Sequence, residues 1–350
     1  MTQVSQQINA KPVRRVTIRD VALKAGVSIG TASRVINHVN NVTPAIRERV
    51  DCAITLLGYK PDYLAQMMRS GESLTVGIMV RDITSTLLAG FVRGAQEILN
   101  EAGYTVILAC SDENKDRELG FLASVASRRV DGLMMTTSSE LDQDLLSARQ
   151  MITAPTVLFD REVPESFDAM LIAHDHGVSQ ALEHLFQLGH RRVALLTGGV
   201  DVYPARARLR GYKQFYASHG LAVDDSLVVS NNFSEEGSFV ETSILLGLAN
   251  PPTAIVLGGI SMLAGALRAI RARSLRIPED LSLVGSGDSD LAMLATPSIS
   301  VVRWNYLEIG RTGARLLLSR MRGPPPAEPR RIIVPSEYVI RGSCGPLPLL

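Results

Sequence analysis

The sequence predicts two architectures in one chain: an all-α head of three short helices, then a two-lobed α/β body built on parallel sheets. Three observations predict this. Capped helical stripes fill residues 17–58. Buried-strand runs alternating with helical runs fill residues 75–285. That alternation starts twice, at Thr75 and again at Leu171, which points to two lobes.

In the head, Thr17-Ile-Arg-Asp20 fits a capping box, and Ile18, Val21, Ala22 and Ala25 then fall on one helical face. Gly26 is placed to end that helix in a left-handed conformation. Ser28 caps a second helix with Ala32, Val35 and Ile36 inward. Helix, Ala25-Gly-Val-Ser28 turn and helix make a helix-turn-helix. A third helix runs from Thr43-Pro44 to Gly58, with Ile46, Val50, Ile54 and Leu57 as its stripe. The outward side of the second helix carries Ile29, Gly30, Thr31, Ser33, Arg34 and Asn37. Short hydroxyls at a helix start can bond phosphates, and an Arg can make a bidentate contact to guanine. A small three-helix module that binds protein is the plainer alternative.

In the body, strands are expected at 75–80, 105–110, 132–135, 156–159, 193–197, 254–257 and 282–285. Helices are expected at 90–102, 116–129, after Leu171 through Leu188–Arg192, around 206–219 and up to Arg273.

At 350 residues the chain is long enough for two or three cores, and 46% apolar with 20% charged residues is a globular composition. No apolar run reaches the 18 or so residues of a membrane helix, and the N-terminus lacks a secretory pattern. Cys52, Cys110 and Cys344 stand far apart, without metal or disulfide spacing. The chain therefore reads as cytoplasmic. Its net charge of +1 hides an asymmetry: residues 1–71 carry +6 and the remainder −5, as expected where a head faces phosphates.

The runs TIRDVALKAGVSIGTASRVIN, VTPAIRERV and LGYKPDYLAQMMRSG, spanning residues 17–71, resemble the head and hinge of LacI-type repressors. The resemblance implies that Ile29, Gly30 and Arg34 select the operator, while Thr31, Ser33 and Asn37 contact the DNA backbone or stabilise the helix. With Thr17, Ser28, Tyr59, Ala65 and Met68 these form the implied DNA-binding set. Asp62 can cap a hinge helix over Tyr63, Leu64, Ala65, Met67 and Met68, marginal alone and stabilised by pairing in the minor groove. Met68 stands where the family presents a Leu wedge; the alternative is that both methionines pack the hinge pair.

The body resembles the same family's periplasmic-binding-protein-like sensor. The cues are RRVDGL at 128–133, FDR at 159–161, HDHG at 174–177, LGHRRVALLTG at 188–198, RLRGY at 208–212, then IPEDLSLVG and TPSISVVRW. The expected layout is a tail at 1–15, the helix-turn-helix domain at 16–60, the hinge at 61–72, the sensor at 73–342 and a tail at 343–350. The first lobe would take about 74–159 plus 288–301 and the second about 162–285 plus 304–342, with crossovers near 158–162, 285–290 and 301–304. Ligands of open α/β sheets bind beyond the carboxyl ends of strands. Asp82, Asp160, Arg161, Arg208 and Asp288 lie there, and the resemblance implies Arg208 as an effector ligand. Trp304 has two readings, a platform for a sugar ring or interlobe core.

Where the family usually reads Asn-Asp this chain has Gly259-Ile260, and Gly285-Ser-Gly-Asp288 replaces a common Gly-aromatic-Asp-Asp. Losing polar ligands while keeping Arg161 and Arg208 points to an anionic sugar acid or similar polyol derivative. The expected partners are a pseudo-palindromic DNA operator, a sugar or sugar-acid effector and a second copy of the chain. The residues after Gly342 carry no heptad pattern, so a dimer is expected. No cofactor is expected. His174, His176, His184 and His190 lack a known metal spacing, and neither a dinucleotide fingerprint nor a nucleophile elbow is present. An enzyme or a solute-binding protein is the poorer reading. Repressor and corepressor-dependent or activator logic are not separated by sequence.

Overall fold

The computed structural model describes residues 16–36, 41–59, 73–128, 130–162, 167–323 and 328–347. Asn37, the hinge with Ala65 and Met68, and the residues before 16 lie outside this set. The chain divides into two units, Met1–Ser73 and Leu74–Leu350.

In the head, α1 (Ile18–Ala25), α2 (Ile29–Ile36) and α3 (Pro44–Leu57) close over Val21, Ala25, Val35, Val50 and Ala53. The starts follow the local chemistry. The Asp20 carboxylate accepts the Thr17 N–H at 2.8 Å and the Thr17 hydroxyl at 2.7 Å. Gly26 ends α1 at φ +62°, and Gly58 ends α3 at φ +60°. One contact had no sequence signal. Arg49, on α3, reaches back to the α1–α2 turn and donates to the Ala25 and Gly26 carbonyls. It thereby satisfies helix-end acceptors that water would otherwise cover.

The body consists of β1 (Thr75–Val80), α4 (Thr86–Glu101), β2 (Thr105–Cys110), α5 (Lys115–Arg128), β3 (Gly132–Met135), α6 (Gln143–Gln150), β4 (Thr156–Phe159) and β5 (Asp168–Ile172). It continues with α7 (His174–Gln187), β6 (Val193–Gly198), α8 (Tyr203–Ser218), β7 (Val228–Asn231), α9 (Glu235–Leu245), β8 (Ala254–Leu257), α10 (Met262–Ala272) and β9 (Ser282–Ser286). Last come α11 (Asp290–Leu294), β10 (Ser300–Arg303), α12 (Tyr306–Arg322), β11 (Arg331–Val334) and β12 (Glu337–Val339).

The strands form two six-stranded sheets, ordered β11-β5-β4-β3-β1-β2 and β12-β10-β9-β8-β6-β7. Every pairing is parallel except β10 with β12. Strands covered on both faces read as continuous apolar runs, which is why β1, β3, β4 and β8 stand where the pattern predicts them. In the first lobe, α4 and α12 cover Ile78, Met134 and Phe159. Leu122, Leu133, Met135 and Leu171 form the cluster on the other face.

The lobe boundaries differ from expectation. β5 and β11 belong to the first sheet and β10 to the second, so the chain crosses between residues 172 and 174, 303 and 306, and 334 and 337. The first lobe is therefore 74–172 plus 306–334, and residues 288–303 belong to the second. β5 escaped notice because its run opens on a charge. Asp168 is buried there, held by the Arg320 guanidinium of α12 at 2.5 and 2.7 Å and by the Arg330 N–H at 2.6 Å. The segment 343–347, part of the expected tail, is docked on the second lobe. Ser343 donates to the Leu283 carbonyl, His190 Nε2 lies 3.0 Å from the Gly345 carbonyl, and the Leu347 N–H donates to Leu188.

Helices α4 and α12 pack backbone to backbone. A Cβ on Gly94 would overlap the Leu307 carbonyl oxygen, and one on Gly310 would overlap the Phe91 carbonyl. Gly94→Ala should therefore cost about 1–3 kcal/mol. Gly120→Ala, on the exposed side of α5 with no atom within 4 Å, should stabilise by about 0.5–1 kcal/mol. Urea midpoints moving in opposite directions at constant slope would bear this out; equal shifts would refute it.

Burial also holds the His184 and His190 imidazoles below the ordinary value of 6.5. Their folded pKa lies under the unfolded one, so the unfolded chain binds protons first. Stability should be full above about pH 6.5 and decline as pH falls below it, through the folded values. A melting temperature that stays flat from pH 7.5 to 5.5 would contradict this.

Candidate functional site

Two surfaces carry the sequence-selected residues, one in each unit. In the head, α2 is the element that projects them. Ala32 and Val35 are buried, which leaves Ser28, Ile29, Gly30 and Arg34 exposed and Thr31 and Ser33 half-buried on the outer side. Ser28 caps the helix, its Oγ accepting the Thr31 N–H at 3.1 Å and bonding the Thr31 hydroxyl at 2.9 Å. Thr17 is exposed at the start of α1, and Tyr59 packs half-buried against the head core. The first turn of α2 thus presents hydroxyls and open backbone at Gly30, and its last turn presents the exposed Arg34. Its N-terminal end carries the positive pole of the helix dipole.

In the body, a cleft opens between the lobes. One chamber, about 570 Å³, is lined by Phe159, Asp160, Arg161, Arg208, Trp304 and Tyr306, with Arg81, Phe233, Gly258–Ile260 and Ser286 around them. An adjoining chamber of about 620 Å³ shares Arg81, Glu113, Thr136, Arg161 and Phe233 and adds Ser111, Thr137, Ser138, Asp201, Asn231 and Asn232. Asp160, Arg161, Arg208 and Trp304 are thus brought together.

Asp82 and Asp288 are not in the lining. The Asp82 carboxylate turns back on its own loop and accepts the Thr84 N–H and hydroxyl at 2.8 Å, so its neighbour Arg81 faces the cleft instead. Asp288 is held in the second lobe by Arg303 at 3.1 Å and Arg341 at 2.6 Å, and Ser286 takes its place in the lining.

Arg208 lies on the second turn of α8, 5% exposed, and its guanidinium donates to no described residue. Burial pulls its pKa down to about 10, with Asp160 opposing. It remains a cation without a protein acceptor, 5.9 Å from the Phe233 ring centroid. Beside its stem the Thr197 hydroxyl is also buried without a partner. Arg161, by contrast, is anchored: its Nε donates to the Thr137 carbonyl at 2.5 Å and its Nη1 to the Asp160 carbonyl at 2.8 Å. Arg81 pairs with Glu113 at 3.3 Å.

Asp160 has φ +52° and 8% exposure. His174 Nε2 lies 2.9 and 3.1 Å from its two oxygens, and the Ile172 N–H donates to it at 3.3 Å. Burial pushes the Asp160 pKa up, but His174, Arg208 and Arg161 outweigh that and leave it lowered. Burial, then Arg208, holds His174 below the usual range, so a neutral ring donates Nε2–H to a carboxylate. Phe233 had no motif to announce it. Its ring fills the space above two positions without Cβ: a Cβ on Gly259 would meet it at 2.7 Å, and one on Gly198 closer still. Gly259-Ile260 therefore offers the cleft a ring and an alkyl wall in place of amide and carboxylate.

His184 and His190 have structural partners. His184 bonds the Tyr338 hydroxyl at 2.9 Å, and His190 bonds Thr253 and Ser282. Among the described residues, no three His, Cys, Asp or Glu side chains could hold a metal ion, and no helix is long and apolar enough to cross a membrane.

Residues 17–62 match the model for bacterial regulatory proteins of the lacI family, and residues 182–344 match that for a periplasmic binding protein-like domain. The chain is 30% identical to the ribose operon repressor of Escherichia coli K12, over 91% of this chain and 97% of that protein. It is also 30% identical to the transcriptional repressor CytR of the same strain, over 95% and 97%. Among solved structures, a lac repressor dimer bound to operator and an anti-inducer superposes with a TM-score of 0.82 at 26% identity, covering 94% of this chain and 99% of that one. A complex of the regulator CelR with cellobiose gives 0.72 at 32% identity, covering 94% and 100%. The chain belongs to the LacI family of bacterial regulatory proteins and is a DNA-binding transcriptional regulator, not an enzyme.

Proposed function

We propose that the chain acts as a homodimeric repressor that reads a two-fold operator through α2 and is switched by a sugar or sugar acid held between the lobes. The observation that carries the effector half is Arg208, a buried guanidinium on the cleft wall with no acceptor of its own. A burial so costly is offset when a ligand supplies the anion or lone pairs. The Arg208 chamber adds the rings of Phe159, Trp304 and Tyr306, suited to the apolar face of a sugar. The adjoining chamber's hydroxyls, amides and carboxylates suit further hydroxyl groups.

On the DNA side, Arg34 would read a base edge, with Ile29 and Gly30 in the groove and Thr17, Ser28, Thr31 and Ser33 towards phosphates. Asn37, Tyr59, Ala65 and the Met68 wedge keep the roles that the resemblance implies. Two-fold pairing is favoured by the edge strand β2, which leaves Ile107 and Leu108 about 40% exposed next to α4. Such a protein works in the cytoplasm, on the nucleoid. The sign of the response depends on which lobe arrangement the effector binds more tightly.

With an operator selected from random duplexes, Arg34→Ala should weaken operator binding about 10- to 100-fold, the range of one bidentate base contact. Binding to an unrelated duplex should stay nearly unchanged. Equal losses on both would make Arg34 a phosphate contact. In a thermal-shift panel of sugar acids and neutral sugars, acids should stabilise the full chain and Arg208→Met should abolish the shift. Stabilisation by neutral sugars alone would overturn the preference for an anion.

A further inference from the structure

Glu140 lies in the first lobe, between β3 and α6, yet most of its partners belong to the second. It is buried, with 3% exposure. Its Oε1 accepts the Tyr203 N–H at 2.6 Å and the Glu162 N–H at 3.1 Å, and its Oε2 pairs with the Arg206 guanidinium. Its own N–H donates to the Asp201 carbonyl at 3.0 Å. Tyr203 and Arg206 form the first turn of α8, and Asp201 leads into it. A carboxylate here meets both the open N–H groups and the positive pole of the helix. The same helix end is fastened twice more to the first lobe. The Tyr203 hydroxyl donates to the Ile172 carbonyl at 2.9 Å, and Tyr203 and Ala207 join the apolar cluster of Leu133, Met135 and Leu171. Arg208 follows within the next turn, on the cleft wall.

We infer that Glu140 is a positioning residue for effector binding, a latch that pins the start of α8 to the first lobe. It thereby fixes how far Arg208 stands from Asp160 and Arg161 across the cleft. Parting the lobes breaks the bonds to Tyr203, Asp201 and Arg206 together, because all three sit on one side of the opening. Contacts made only in the closed arrangement shift the open–closed balance by their own free energy, whatever ligand is present. Effector affinity then scales with the closed fraction, although Glu140 does not itself line the cleft. Arg206, about one-third exposed, is the other half of the latch. This inference rests on the cleft being the effector site, but its test needs no effector.

Trp304, the single tryptophan of the chain, lines the cleft and reports its opening. Acrylamide quenching of the full-length protein without effector should be weak in the wild type. The quenching constant should rise about twofold or more in Glu140→Ala and Arg206→Met, as the open fraction grows. Glu140→Gln, which keeps an acceptor for the Tyr203 N–H but not the ion pair, should fall between. The double variant should quench no more than Glu140→Ala alone, since the two residues form one latch. Unchanged quenching in both single variants, or additive effects in the double one, would overturn the inference. So would a lower melting temperature with an unchanged quenching constant, the mark of a merely structural residue. Should Glu140→Ala not fold, Arg206→Met and Glu140→Gln decide alone.

Discussion

The pairing of Asp160 with His174 is the interaction around which the sensor is arranged. It joins the end of β4 in the first lobe to the first residue of α7 in the second, across the first crossing of the chain. The His174 ring then stands edge-on to Trp304, 5.0 Å between centroids, in the second crossing. The third crossing lies against the first, where Ser336 donates to the Ala173 carbonyl at 2.7 Å. One buried carboxylate thus orders three strands of chain. It also holds negative charge near Arg208 and Arg161, offsetting part of the cost of burying both. Neutralising Asp160 would loosen the crossings between the lobes and leave the cleft electrostatically lopsided.

The cleft wall is unequal in what it has already used. Arg161 and Arg81 spend their donors on protein partners, and Asp160 spends its lone pairs on His174 and Ile172. Arg208 does not. A site with one unspent cation at depth and anchored charges at its sides discriminates by where a ligand places its acceptors. Rigid neighbours make that discrimination sharper, because they cannot swing to rescue a poor fit.

What the sequence revealed follows from how local each signal is. Thr17, Ser28, Gly26 and Gly58 act within a few residues of themselves, so the head was legible down to its caps. β1, β3, β4 and β8 were legible because two-sided burial leaves an unbroken apolar run. β5 was hidden by Asp168, whose charge is answered by Arg320 more than 150 residues away. Asp82 and Asp288 stand where a strand-end rule puts ligands, but that rule cannot tell which neighbour captures a carboxylate. Thr84 and the Arg303–Arg341 pair did so. Phe233, Arg49 and Glu140 carried no motif because their partners are brought to them only by tertiary packing. The outward-facing residues of α2 were found from periodicity, whereas the roles given to them and to the hinge residues rest on resemblance.

The weaving of the chain between the sheets has a consequence for biogenesis. β11 and α12, which complete the first lobe, are encoded after nearly the whole second lobe. During synthesis the early half therefore waits with the floor of its sheet uncovered, where Met134 and Phe159 will later meet α12. Domains usually mature from the N-terminus as they emerge, but here neither lobe is complete until its last strand, β11 or β12, has emerged. An unfinished chain would expose that apolar floor to chaperones until residues near 320 leave the ribosome.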